Sequence, residues 1–201
     1  MTIVGLTGGI ASGKTSILNF IKKQNIPTHD SDAVVTNLYN KPSKEFISCL
    51  KSTGLSNAVK QKKIDKDLVK NEVLNNRRKL KKLEEFIHKK VKLSRDKFIR
   101  KNKHLKKKII VLDIPLLFEK KLESICDYIL LAHCPFKARV ARALRRKNLS
   151  RKNLEKFIKL QMPNRLKINK SDFIINTSIT KGYSNSQTLK ALNKIRFLTK
   201  P

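Results

Sequence analysis

Eight consecutive residues near the start of the chain, Gly8-Gly9-Ile10-Ala11-Ser12-Gly13-Lys14-Thr15, limit its possible folds more than any other feature. They match G-x-x-x-x-G-K-[ST] at every fixed position. The apolar run Thr2 to Thr7 before them predicts a buried strand, and Ile17, Leu18 and Ile21 after them recur at helical spacing. A strand, a glycine-rich loop and a helix in that order form a phosphate cradle. Glycines let the backbone close around phosphates with N–H groups turned inward, and the helix N-terminus adds a positive partial charge. Lys14 is placed to reach the β- and γ-phosphates of a nucleotide, and the Thr15 hydroxyl to ligate Mg²⁺. The candidate ATP-binding residues here are Gly8, Gly9, Ala11, Ser12, Gly13, Lys14, Thr15 and Ser16. Such a loop serves kinases, GTPases, motors and nucleic-acid ATPases alike, so other residues must decide among them.

The remaining pattern predicts an α/β fold with a parallel sheet. Ile26 to Asp30 reads as a short second strand. Ile109-Ile110-Val111-Leu112 is continuously apolar, as a strand buried on both faces should be. Tyr128 to Ala132 and Phe173 to Ile175 complete five strands, and a last helix is predicted from near Ser184, with Leu189, Leu192 and Ile195 inward. No strand is evident between Tyr39 and Lys108. Leu80, Leu83, Ile87 and Val91 step by three or four, and Phe46, Ile47 and Leu50, like Leu68, Val69 and Val73, form shorter apolar faces. Residues 39–107 are therefore predicted to be a helical insertion, of the kind that caps a ligand cleft. A second polar helical stretch is predicted from Pro135 to Gln161, broken at Lys147-Asn148 and restarted by Ser150 as an N-cap.

Two acidic sites fall at strand ends, where ligands bind in open α/β sheets. Asp32 of Asp30-Ser31-Asp32 can accept a proton from an attacking hydroxyl or hold a metal-bound water, but Asp and Ser are equally favoured as helix N-caps. Asp113, ending the apolar strand, stands where an acid near Mg²⁺ is expected, or is a turn acid before Ile114-Pro115. Glu119 either orients a basic residue of a substrate lobe or is solvated. Arg139, Arg142 and Arg146 share one helix face. They suit a lid over a transferring phosphate, or a solvated basic face.

Charge adds a second constraint. Lys and Arg total 47 against 15 acids, a net charge of +32, so polyanions are attracted. The charge is dispersed, densest at Arg100 to Lys108, and aromatics make up only 6% of the chain. That pattern argues against a stacking surface for nucleic acid. Cys49, Cys126 and Cys134 have neither paired nor metal-like spacing, which predicts buried thiols in a reducing compartment. With no signal-peptide pattern and no apolar run near the ~20 residues of a membrane span, a cytoplasmic protein is expected.

Taken together, these segments resemble the dephospho-CoA kinase family. The resemblance rests on Gly5 to Thr15, on Asp30-Ser31-Asp32, and above all on Asp113-Ile114-Pro115-Leu116-Leu117-Phe118-Glu119. It extends to Leu83-Glu84 with His88, to Arg142 and Arg146, to Gln161, and to Lys167, Ser171-Asp172 and Asn176, covering residues 3 to about 190 in order. The chain departs from the family in four places. Lys89 follows His88 where Pro is usual, and Lys66 follows Asp65 where Arg is usual. Pro42-Ser43 replaces Pro-Gly, and Arg139 stands where Gln is common.

The resemblance implies transfer of a phosphoryl group from ATP to the ribose 3′-hydroxyl of dephospho-CoA, giving CoA and ADP. It implies the P-loop kinase fold, with a five-stranded parallel sheet flanked by helices, a helical substrate-binding insertion and a helical lid. The nucleotide core would be 1–38, 108–137 and 165–201, the CoA-binding lobe 39–107, and the lid 138–164. Asp32, Lys14 and Arg142 would be catalytic, with Asp32 the base. Arg142 and Arg146 would clamp ATP, while Asp32, His88, Asp113 and Leu116 would face the substrate. Thr15 would hold Mg²⁺, with Asp113 acting through water. The expected partner is the small-molecule substrate alone, without specific nucleic acid or membrane, on a monomer or weak homo-oligomer. The rival expectations are another small-molecule P-loop kinase, such as a nucleoside or nucleotide kinase, and a nucleic-acid-binding P-loop ATPase.

Overall fold

A computed structural model of the chain describes residues 1–60, 63–74, 76–145 and 151–199. In chain order the elements begin with β1 (Thr2–Gly8), α1 (Lys14–Lys23), β2 (Thr28–Asp30), α2 (Ser31–Asn40) and α3 (Lys44–Ser52). Then come β3 (Val59–Lys60), β4 (Lys63–Ile64), α4 (Lys66–Leu74), α5 (Arg77–His104) and β5 (Ile109–Asp113). The last six are β6 (Tyr128–His133), α6 (Phe136–Leu144), α7 (Arg151–Lys159), α8 (Asn164–Asn169), β7 (Phe173–Asn176) and α9 (Lys181–Leu198). Two compact units result: residues 1–29 with 101–201, and residues 30–100.

The first unit is built on the five-stranded parallel sheet, in the order β2-β5-β1-β6-β7. β1 and β5 are buried almost throughout, which is why their sequences are continuous apolar runs rather than alternating ones. Ile17, Leu18 and Ile21 of α1 and Ala191, Leu192 and Ile195 of α9 join Val4, Leu6, Val111 and Leu130 in one core. Each Val, Leu or Ile among them contributes about 1.5–3 kcal/mol on burial.

The chain leaves β1 toward β2 on one side of the sheet, then fills β5 between them, and crosses to β6 and β7 on the other side. Connections thus diverge at the C-terminal end of β1, and crevices for ligands form at such points.

Several expectations need correction. The second strand starts at Thr28, not Ile26, because Pro27 precedes it and contributes only its carbonyl, which accepts from the Val111 N–H at 2.9 Å. α9 starts at Lys181 rather than near Ser184, since the Thr180 hydroxyl caps it by accepting from the Tyr183 N–H at 3.1 Å. Its inward stripe is Ser184, Thr188, Ala191, Leu192 and Ile195, which leaves Leu189 outside it and 38% exposed. Of the three cysteines, none of them in a disulfide, only Cys134 is buried; Cys49 and Cys126 are half-buried. Lys147-Asn148 and Ser150 lie outside the described residues.

The second unit packs Phe46, Leu50, Leu55, Ala58, Val69, Val73 and Leu83 into its own core. Phe46 meets Tyr39 edge-on with centroids 5.2 Å apart and stacks on Phe86 at 5.5 Å. It is not wholly helical: β3 and β4 pair antiparallel, Val59 opposite Ile64 and Lys60 opposite Lys63. Strands of two residues carry no period-two signal, so the hairpin leaves no trace in the sequence pattern. Among the described residues no helix is long and apolar enough to cross a membrane.

Candidate active site

The phosphate loop turns on two residues with positive φ, Ala11 at 57° and Gly13 at 86°. Gly13 is the N-cap of α1 and makes no side-chain cap, so the first N–H groups of α1 are left for an anion. Any side chain at Gly13 would meet both the left-handed backbone and the Thr177 side chain, whose atoms lie 3.0–3.2 Å from the position of an added carbon.

Strand register sets the charge beside this loop. Leu6 of β1 pairs with Asp113 of β5, bringing the carboxylate to the neighbouring strand end. Lys14, first residue of α1, reaches back so that its Nζ donates to both Asp113 oxygens, at 2.6 and 2.7 Å. Asp113 is only 2% exposed. A buried carboxylate needs such a partner, because desolvation otherwise costs several kcal/mol. The structure therefore joins Lys14 to a buried Asp113.

Thr177, just beyond β7, ties the loop to α6. Its hydroxyl donates to the Ser12 carbonyl at 2.6 Å. Arg142 donates from Nη2 to the Thr177 carbonyl at 2.6 Å and from Nη1 to the Thr177 hydroxyl at 3.3 Å. Beside these groups lies a cavity of about 320 Å³ lined by Ala11, Gly13, Ser16, Arg142, Thr177 and Lys181. Arg145 is exposed, whereas Arg139 and Arg142 turn toward the loop, so only part of the arginine helix is a solvated face. Arg146 lies outside the described residues.

Gln161 braces the other limb of the loop, its Oε1 accepting from the Ile10 N–H at 3.1 Å. Nearby, the His133 ring sits with Nδ1 2.7 Å from the Asn164 amide nitrogen. Burial, and then the charge of Arg139, hold the His133 pKa below its usual value. A neutral ring accepting at Nδ1 fits both facts.

Glu119 orients a basic residue, but one of the sheet unit rather than of a substrate lobe. It lies 2.7 Å from the Nζ of Lys167, which is 1% exposed, and accepts from the Met162 N–H at 2.8 Å. Burial works against ionisation of Glu119, but Lys167 and the backbone N–H groups outweigh it and keep its pKa below the usual value.

In the second unit Asp30, not Asp32, caps α2: its Oδ1 accepts from the Ala33 N–H at 2.9 Å. Asp32 stands exposed in the first turn of that helix. His88 is exposed on α5. Leu116, in the turn after β5, is half-buried. A second cavity of about 320 Å³ is walled by Tyr39, Val69, Val73, Leu80, Leu83 and Ile87, with Lys66, Lys70 and Glu84 around it. Lys66 donates to the Asn40 Oδ1 at 2.7 Å.

Thr177 and the Glu119–Lys167 pair are the groups that residue patterns alone miss. The first had one signal, a hydroxyl residue two positions past the predicted strand Phe173 to Ile175; in the second, Glu119 and Lys167 each stand out singly, but nothing local pairs them, since they are far apart in the chain.

A parallel sheet of this order, with the lysine-bearing phosphate loop on its central strand and an arginine helix alongside, defines a P-loop kinase. The dephospho-CoA kinase family model matches residues 2–181. The dephospho-CoA kinase of Bartonella quintana is 37% identical over 177 residues, 88% of this chain and 89% of that one. The crystal structure of TT1252 from Thermus thermophilus superposes with a TM-score of 0.78 at 26% identity, covering 96% of this chain and 97% of that one. Dephospho-CoA kinase from Campylobacter jejuni shares the fold with a TM-score of 0.70 at 23% identity, covering 98% of each chain. This chain belongs to the dephospho-CoA kinase family.

Proposed function

We propose that the chain transfers the γ-phosphoryl group of ATP to the ribose 3′-hydroxyl of dephospho-CoA, yielding CoA and ADP. The observation that carries this is the Gly8–Thr15 loop on the central strand, with the Lys14 ammonium held at the Asp113 carboxylate. The loop N–H groups and Lys14 bind the phosphates, and the cavity beside Arg142 and Thr177 takes the nucleoside end of ATP. Arg142 and Arg146 close on the phosphates from a lid at 138–164. The segments 1–38, 108–137 and 165–201 serve as nucleotide core, and 39–107 as the CoA-binding lobe, with His88, Asp113 and Leu116 on the substrate side. The apolar cavity of that lobe suits the substrate's uncharged arm.

Asp32 is the base, left to this role because Asp30 does the capping. Its carboxylate takes the 3′-hydroxyl proton as the oxygen attacks the γ-phosphorus. The bond from that phosphorus to the β,γ-bridging oxygen breaks, and its electron pair leaves with ADP. Positioning and electrostatics supply most of the acceleration.

The exposed Thr15 hydroxyl and the Asp113 carboxylate are hard oxygen donors. They fit Mg²⁺, which takes one or two protein oxygens and completes its shell with phosphate and water. Thr15 would hold the ion directly and Asp113 through water, and the bound ion would spread the negative charge of the phosphates. We place the enzyme in the cytoplasm as a monomer or weak homo-oligomer, with no specific nucleic-acid partner; the lack of a disulfide among Cys49, Cys126 and Cys134 suits that compartment.

A panel of acceptors tests the reading. With ATP and the purified protein, dephospho-CoA should be phosphorylated far faster than nucleosides, nucleoside monophosphates or shikimate. Comparable turnover of any of these would refute it.

A further inference from the structure

Arg139 is a buried cation that has no counter-ion among the described residues. It is 9% exposed, and its Nε is buried with no hydrogen-bond partner. Among the described residues no carboxylate pairs with it; beside it stand the Phe136 ring, centred 5.7 Å from Cζ, and His133 and Cys134 at the end of β6. Burial pulls its pKa down from the usual arginine value. Its guanidinium lies directly against the phosphate loop. A carbon added at Gly9 would sit 2.0 Å from Arg139 Nη1, so only glycine lets the group come this close. Gln161 holds the same limb of the loop through the Ile10 N–H.

An uncompensated buried charge costs several kcal/mol, and an uncharged side chain would fill the space without that cost. A phosphate oxygen supplies the missing charge. Loops of this kind cradle the inner phosphates in the N–H groups nearest the helix, while the lysine reaches the outer ones. A group against Gly9, at the far limb, therefore meets the outermost phosphate.

We propose that Arg139 is a third arginine of the triphosphate site, one that contacts the terminal phosphate of ATP over Gly9 and discriminates ATP from ADP. The proposal rests on the reading of Gly8–Thr15 as the ATP site.

Calorimetric titration of the wild type, Arg139→Gln and Arg139→Met with ADP and with the β,γ-imido analogue of ATP tests it. A charged hydrogen bond is worth about tenfold or more in affinity. The analogue should therefore bind both variants about tenfold more weakly, while ADP affinity stays within about twofold of the wild type. Melting temperatures without nucleotide should stay level or rise, because an unpaired buried charge has been removed. A ratio of the two affinities that is unchanged in both variants overturns the proposal. So does a fall in melting temperature in both, which would make the guanidinium a structural prop. If the wild type binds neither nucleotide, the reading of the loop itself fails.

Discussion

Replacing Glu119 by Gln keeps shape and hydrogen-bonding oxygen but removes the charge facing Lys167. The ammonium is 2.7 Å away and 1% exposed, so no solvent takes over from the lost carboxylate. Breaking a buried pair by neutralising one member costs about 3–5 kcal/mol. For a domain of this size each kcal/mol lowers the melting temperature by about 2–4 °C, so Glu119→Gln should melt roughly 6–20 °C below the wild type.

The pH dependence has a defined sign. Because the folded pKa of Glu119 is depressed, its stabilisation is fully present above the unfolded value of about 4.3 and is lost as pH falls through the folded value. The variant should lack this part of the acid transition. Scanning calorimetry of Glu119→Gln, Lys167→Met and the double variant at several pH values measures all of this. The double variant should recover most of the loss, since it leaves no charge buried without its partner. A single variant melting within 2 °C of the wild type, on the scale set by roughly 2–4 °C per kcal/mol, would refute the claim that Lys167 depends on this carboxylate.

Other expectations follow from the site. Asp32→Asn should leave ATP affinity unchanged and lower kcat by roughly 10²- to 10⁴-fold, read by steady-state kinetics beside calorimetry. Thr177→Val preserves shape but strands the Ser12 carbonyl, so stability should fall by about 1–3 kcal/mol in denaturant unfolding, with weaker ATP binding. Burial and then the Arg139 charge depress the His133 pKa, so an NMR titration should find that pKa higher in Arg139→Met than in the wild type. In the wild type the same depression means that folded His133 binds its proton less readily than unfolded histidine. Stability should therefore decline as pH falls from about 6.5 toward the folded value.

The phosphate loop and the sheet were legible in the sequence because both are local signals. A glycine–lysine spacing names the loop, and the continuous apolar run Ile109–Leu112 names a strand buried on both faces. The acid at its end was visible too, though its pairing with Lys14 emerges only from the register of β1 on β5. What escaped was either too short or too distant. The two-residue strands β3 and β4 have no periodicity, and Thr180 as a helix start competed with Ser184, four residues later after Lys181-Gly182-Tyr183. Glu119 could be read two ways because nothing local distinguishes a solvated glutamate from one paired with Lys167 across the fold. Arg139 was visible as an arginine on the face of Arg142 and Arg146, where Gln is common in the family. Its burial against Gly9 is a tertiary fact.

A coupled assay of ADP release, run with and without dephospho-CoA and with CoA quantified in parallel, reaches the central claim most directly. Slow ADP release alone, and fast release matched one-to-one by CoA once dephospho-CoA is added, is the predicted result. ADP release that ignores dephospho-CoA, or that rises without CoA appearing, would contradict it.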